Sequence, residues 1–235
     1  ARSAGTLRDK SENNPADSAR NHNGDAAVMQ SLTIIAEVAD GIGMFGFAVA
    51  GLFASAGRRI DPVGVFVSVF TTAFGGGIIR DILLDLRPFY WLSHPQWIWM
   101  TLGLTILAPV IVRRVQRFWQ RRLLLWADAV GLAFFAVGSC ATSDRLGHPL
   151  IVSVLIGVVT GVFGGMLRDV FCAKLPSVLS NEEPYASVAF AGCWVYLGLV
   201  HAEIVPADIA LWGCCALIMI VRMASFRIPW MKVRY

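Results

Sequence analysis

The sequence predicts an all-α integral membrane protein. It should have seven transmembrane helices, an inverted repeat of three plus three with one extra C-terminal helix, entering from outside and ending inside. Three observations carry this. Of 235 residues, 56% are hydrophobic and 15% charged, with mean hydropathy +0.62; a soluble domain is about 25% charged. Beyond residue 30 the chain is a series of long apolar runs, and roughly 18 or more such residues read as a membrane-crossing helix. Finally, one motif occurs twice. Phe74-Gly75-Gly76-Gly77-Ile78-Ile79-Arg80-Asp81 returns as Phe163-Gly164-Gly165-Met166-Leu167-Arg168-Asp169. Arg168 follows Arg80 by 88 residues, and the same offset takes Asp40 to Asp128, Gly43 to Gly131, Phe47 to Phe135, Thr72 to Thr160 and Pro88 to Pro176. Such ordered matches mark a duplicated unit of roughly 85–90 residues.

Residues 1–30 are rich in Asn, Asp, Ser and Arg without periodicity, and read as a disordered tail. They lack the apolar core of a signal peptide, and Met29 is a candidate alternative start. The first repeat is expected over 31–113. Its first span, about Leu32 to Ala56, carries Glu37 and Asp40 and then Gly41, Gly43, Gly46 and Gly51, small residues that let helices approach closely in lipid. Pro62 suits a first helical position. The second span, about Val63 to Leu86, holds the glycine triplet and ends at Arg87-Pro88. Phe89, Tyr90, Trp91, Trp97 and Trp99 read as an interfacial aromatic belt, and the third span runs from about Trp97 to Val112.

A basic linker, 114–122, joins the repeats. The second repeat, 123–203, has spans at about Leu123–Thr142, Leu150–Ala173 and Ala186–Val200. A seventh helix within 204–225, about Ile209 to Met223, leads to a basic tail that counts Arg222 with Arg227, Lys232 and Arg234. Cys140, Cys172, Cys193, Cys214 and Cys215 lie in or beside apolar runs and read as small buried residues. His22, His94, His148 and His201 have no ligand or base partner at useful spacing, so no metal, cofactor or enzyme is expected. Net charge +4 lies in short loops beside spans, which topology explains without nucleic acid. Arg58, Arg59, the linker arginines and Lys174 fall on one side. Positive residues mark the cytoplasm, so the N-terminus is expected outside and the C-terminus inside.

Three spans per repeat is an odd number, so the second copy enters the membrane from the opposite side. Glycine-interrupted segments at matching positions of such repeats point to a permeation or binding site. Each helical glycine costs about 1 kcal/mol against alanine, so Gly75, Gly76 and Gly77, with Gly164 and Gly165, suggest a kink or a very close backbone approach. Charges inside spans cost at least about 2.5–3.5 kcal/mol and face a wet cavity or each other. Asp40 and Arg80 lie roughly 12 and 9 Å from one mouth, and Asp128 and Arg168 roughly 7 and 9 Å from the other. Two pairs are expected, Asp40 with Arg80 and Asp128 with Arg168, with headgroup snorkelling as the alternative for the arginines. Neighbours Arg80 and Asp81 splay about 100° apart on a helix, which leaves Asp81 and Asp169 to face water and attract cations. Ser68, Thr71, Thr72 and Ser55, with Ser139, Ser153 and Thr160, are candidate pore hydroxyls that can equally bond their own helix backbone. Gly157 and Gly161 suit either subunit contact or internal packing.

The doubled glycine–Arg-Asp motif and the 3+3+1 layout, over about 32–225, resemble the prokaryotic trimeric intracellular cation (TRIC) channel family, a domain family also labelled glycine transporter. The resemblance implies a multi-pass cell-membrane homotrimer, surrounded by lipid, with one hourglass pore per subunit. Spans one, two, four and five would bound that pore, and potassium and some sodium would pass. The second copy departs from the pattern with Met166 where a third glycine would stand. A secondary carrier of glycine or another small amino acid is the alternative, since it too uses inverted repeats.

Overall fold

The computed structural model describes residues 15–56, 61–179 and 184–225, with side chains from residue 34 onward. Residues 1–37 and 38–235 are two separate compact units. Among the described residues all regular structure is helical: α1 (Pro15–Ser55), α2 (Pro62–Leu83), α3 (Tyr90–Ser93), α4 (Gln96–Arg114), α5 (Arg117–Arg145), α6 (Leu150–Phe171), α7 (Ala186–His201) and α8 (Ala207–Ser225). Six helices are long and apolar enough to cross a membrane, α1 through its stretch Ile34–Ser55; α7 is a shorter apolar helix. The chain is a multi-pass membrane protein.

Local chemistry sets the boundaries. Asp61 caps α2 by accepting a hydrogen bond from the Gly64 amide at 2.7 Å, ahead of Pro62. The two repeats end α2 and α6 in the same way. Leu84 N bonds Arg80 O at 2.9 Å and Leu86 N bonds Asp81 O at 2.8 Å, around Asp85 at φ 50°. Cys172 N bonds Arg168 O and Lys174 N bonds Asp169 O, both at 2.9 Å, around Ala173 at φ 46°. This is a Schellman-type stop that normally uses glycine. The duplication therefore reaches down to turn geometry.

Burial ranks the helices. Within the span windows, 78% of α1 and 67% of α5 residues are buried, against 11% of α4. The equivalent helices α1 and α5 are thus central, and α4 presents Trp99, Ile106, Leu107 and Val110 outward. α6 packs between α5 and α2, and α7 and α8 pack on α5.

Glycine sets how closely the repeats approach. A Cβ on Gly164 would sit 2.7 Å from the Thr72 carbonyl oxygen, and one on Gly76 would press still closer on that of Thr160. A Cβ on Gly43 would meet the Phe135 ring at 3.2 Å, and one on Gly131 would overlap the Phe47 ring. In each case the partners exchange under the 88-residue offset. As the number rises on one helix it falls on its partner, so α2 runs antiparallel to α6, and α1 to α5. A Cβ added to Gly157 or Gly161 would lie 2.5 or 2.9 Å from the Ala136 or Leu132 carbonyl oxygen, so that pair serves internal α5–α6 packing.

Several expectations need correction. α2 and α6 are unbroken helices through the glycines, so close approach, not interruption, is what the glycines provide. The register pairs Gly76 with Gly164, which makes Phe163, not Met166, the residue standing where Gly75 has its counterpart. The tail is helical from Pro15, in a stretch where alanines outnumber helix breakers; residues 1–14 lie outside the described residues, as do Arg58, Arg59 and 226–235. The linker is mostly the first turns of α5, and Gln120 donates to the Val112 and Val115 carbonyls, both at 2.8 Å, to close α4. In the expected aromatic belt, Trp97 turns inward onto Gly41 and the Trp91 and Trp97 indole nitrogens are buried. Arg222 lies within α8 and is 2% exposed, so it is no part of the tail.

Two outcomes test this packing. Gly76→Ala or Gly164→Ala should destabilise by about 1–3 kcal/mol, since backbone must move, while Gly103→Ala, with nothing within 4 Å of its added Cβ, should be tolerated; thermal melting in detergent reads both. Exposed Ala173→Gly should stabilise by about 0.5–1 kcal/mol by relieving its left-handed backbone, and a lowered midpoint would contradict that.

Candidate functional site

Two buried charge clusters and the apolar waist between them make up the site. In the first, α1 supplies Asp40 and α2 supplies Arg80 and Asp81. Arg80 Nη1 donates to both Asp40 oxygens at 2.8 and 2.7 Å, and Nε donates to Asp81 Oδ1 at 2.9 Å. Asp81 Oδ2 accepts the Tyr90 amide at 3.0 Å, which ties the start of α3 to the end of α2. In the second, Arg168 Nη1 donates to Asp128 Oδ1 at 2.5 Å, and Nε and Nη2 donate to Asp169 Oδ1 at 2.9 Å. Asp169 Oδ2 accepts from the Ser177 amide at 2.9 Å and its hydroxyl at 2.7 Å.

Arg80 and Arg168 are each 4% exposed. At that burial neither snorkels to a headgroup, and both are held by two carboxylates. Asp81 and Asp169, expected to face water unpaired, are buried and paired with their neighbouring arginines. The 100° splay applies to Cα–Cβ directions. An arginine stem is long enough to fold back over the next residue's carboxylate, which that argument left out. Charges so buried are tolerable only when their lone pairs and protons are satisfied, as here.

Each arginine lies six residues past the point where α2 and α6 cross, on antiparallel helices. The clusters therefore stand at opposite ends of the crossing, roughly 18 Å apart at the helical rise. Between them the waist is apolar. Phe47 and Phe135 stack with centroids 5.5 Å apart at 21°. Beside the first cluster, not between the two, a cavity of about 10 Å³, room for one water, is lined by Gly77, Ile78, Arg80, Asp81, Tyr90 and Phe135 among others. Gly75, Gly76, Gly164 and Gly165 are buried in helix contacts.

The candidate hydroxyls mostly bond backbone. Thr71 donates to Val67 O at 2.6 Å, Thr72 to Ser68 O at 2.5 Å, Ser55 to Leu52 O at 2.8 Å, and Ser68 across to Gly51 O at 3.3 Å. Ser153 donates to the Ser143 hydroxyl at 3.1 Å. Ser139 and Thr160 are buried with no hydrogen-bond partner among the described residues. The five cysteines are free and buried.

Sequence reasoning missed four residues. Phe47 and Phe135 were matched by the repeat offset but given no role. Tyr185 donates to Asp128 Oδ1 at 3.1 Å. Arg222 reaches from α8 to 3.7 Å from Asp128 Oδ2; its signal was a charge inside an apolar run.

With this geometry in place, likeness to known proteins becomes informative. The profile of the family described as "Glycine transporter" matches twice, over residues 37–113 and 125–201. The chain belongs to that family. Its two matches coincide with the two repeats. The UPF0126 inner membrane protein YadS of Escherichia coli K12 is 35% identical over 189 residues, 80% of this chain and 90% of its own. A UPF0126 membrane protein of Deinococcus radiodurans is 33% identical, over 83% and 88%. Among solved structures, the TRIC trimeric intracellular cation channel orthologue from Rhodobacter sphaeroides is 30% identical with TM-score 0.75, over 82% of this chain and 97% of that one. A prokaryotic TRIC channel in 0.5 M KCl is 27% identical with TM-score 0.77, over 83% and 97%. The fold of this family member is thus shared with TRIC cation channels.

A double-mutant cycle probes the cluster. Arg80→Gln alone should cost about 3–5 kcal/mol, the penalty for leaving buried carboxylates unpaired, and D40N/R80Q should recover at least about 1 kcal/mol of it. Additive losses in thermal unfolding would mean the pair is not coupled.

Proposed function

We propose that this chain is a monovalent-cation channel that conducts chiefly potassium and to some extent sodium. Each subunit of a homotrimer would carry its own path between α1, α2, α5 and α6. The reading rests above all on the antiparallel crossing of duplicated helices, with one buried Asp–Arg–Asp cluster at each end, in a fold shared with TRIC cation channels. With the helices along the membrane normal, antiparallel repeats are inverted repeats. Arg117, Gln120, Arg121 and Lys174 line one groove of about 500 Å³ at the second-repeat end, which supports an inner face there and an N-terminus outside. Lipid surrounds the outward apolar faces of α4, α6 and α8.

In this reading the structure is the closed form. The Phe47–Phe135 stack fills the crossing between the clusters, and an apolar constriction stops ions by dewetting. In that closed form the paired glycine motifs hold α2 and α6 at backbone contact. A carrier of glycine fits less well. It calls for discontinuous helices whose N-termini face a carboxylate, and α2 and α6 are continuous through their glycines. Nothing in the two clusters suggests catalysis; their carboxylates and guanidinium groups are held to each other.

Purified protein in planar bilayers with KCl should give unitary current steps that reverse near the potassium equilibrium potential. Proteoliposomes should show no saturable, ion-coupled uptake of labelled glycine. Coupled glycine uptake without unitary currents would replace the channel by a carrier.

A further inference from the structure

The two repeats are alike in their Asp–Arg–Asp triads, but the second receives a residue that no repeat encodes. α8 lies outside both stretches matched by the family profile, and it sends Arg222 into the second cluster. Arg222 is 2% exposed. Its Nη2 lies 3.7 Å from Asp128 Oδ2, its guanidinium stands 4.5 Å over the Tyr185 ring, and Nη1 donates to the Pro184 carbonyl at 3.3 Å. Tyr185, in turn, donates to Asp128 and covers Gly165, whose added Cβ would lie 2.5 Å from the phenol oxygen. The counterpart Gly77 has only Phe135 near, at 3.8 Å, and borders the small cavity. Burial and the Asp128 carboxylate push the Tyr185 phenol well above its ordinary value, so it stays a neutral donor.

We propose that Arg222 sets the charge of the buried cluster at the second-repeat end of the cation path, bringing the Asp128–Arg168–Asp169 triad from one net negative charge to zero. With both carboxylates ionised the sum is two negative and one positive from the triad, and one more positive from Arg222. That end then attracts cations less than its own triad would, and current through it depends on direction. Tyr185 positions Arg222 by offering its ring face and by holding the Asp128 oxygen that faces away from it. The inference rests on the channel reading above.

The test compares wild type, Arg222→Gln, Arg222→Lys, Asp128→Asn and the double variant D128N/R222Q in planar bilayers at about 0.1 and 1 M KCl. The Debye length falls between those salts from about 10 to about 3 Å. Arg222→Gln should raise cation current through that end about threefold at the lower salt, and by clearly less at the higher one, where the field reaching the mouth is partly screened. Asp128→Asn, which leaves that cluster net positive, should lower the current with the same salt dependence. It also carries the test if Arg222→Gln does not fold. Arg222→Lys should behave as wild type, and D128N/R222Q should restore the wild-type ratio of forward to reverse current. A change of equal size at both salts, or Arg222→Lys matching Arg222→Gln, would make Arg222 a packing residue and overturn the proposal while the channel stands. A wild type without unitary currents would overturn both.

Discussion

The approach of α2 to α6 is the constraint from which the other features follow. A glycine on each helix lies under a backbone carbonyl of the other, Gly76 under Thr160 and Gly164 under Thr72. In lipid no hydrophobic drive holds helices together, so association depends on how near two backbones can come. One methyl group at either position would push them apart. The same two contacts fix the register, because only one antiparallel alignment seats both glycines at once. That register, repeated by Gly43 on Phe135 and Gly131 on Phe47 between α1 and α5, carries each Asp–Arg–Asp cluster to its own end.

The clusters then do at the ends what the glycines do in the middle. Each guanidinium joins three pieces of chain. Arg80 holds α1 through Asp40, and through Asp81 it holds the loop that enters α3 at Tyr90. Arg168 holds α5 through Asp128, and through Asp169 it holds the loop at Ser177. A buried ion pair seldom gains much over an apolar pair of equal volume. Its value here is geometric, since carboxylates accept from backbone amides that an apolar side chain would leave unsatisfied. Charge concentrated at the two ends leaves an apolar waist around the Phe47–Phe135 stack.

Much of this was legible in the residues, for identifiable reasons. The offset from Arg80 to Arg168 located the duplication, and odd span number gave antiparallel halves. Asp40 and Arg80 could be matched because both lie shallow from the same mouth. Other features depend on side-chain reach or facing, which spacing does not encode. Arg80 bends onto Asp81 because its stem is flexible. Thr72 satisfies its hydroxyl on Ser68 O because the helix offers that acceptor locally, so it is not left for an ion. The Gly75 counterpart was misjudged because aligning on the Arg-Asp pair and aligning on the first glycine differ by one residue; the register settles it as Phe163. Arg222 looked like the start of a basic tail because it sits three residues from the end of α8, and only packing against α5 reveals that it faces inward.

A path of the kind proposed above, built on a two-fold, has no inside and outside of its own. Its triads match at the two ends, Gly76 exchanges with Gly164, and Phe47 exchanges with Phe135. Whatever makes one end differ must come from parts of the chain that are not duplicated in kind. The structure gathers those parts at a single end: Arg222 from α8 beside Asp128, Tyr185 over Gly165, and the basic groove of Arg117, Arg121 and Lys174. Residues that the other repeat does not match in kind therefore break a symmetry that the repeat imposes. They do so with positive charge, the sign that both orients a membrane protein and opposes cation entry. The eighth helix is on this view part of the electrostatics of the path, not only packing around it.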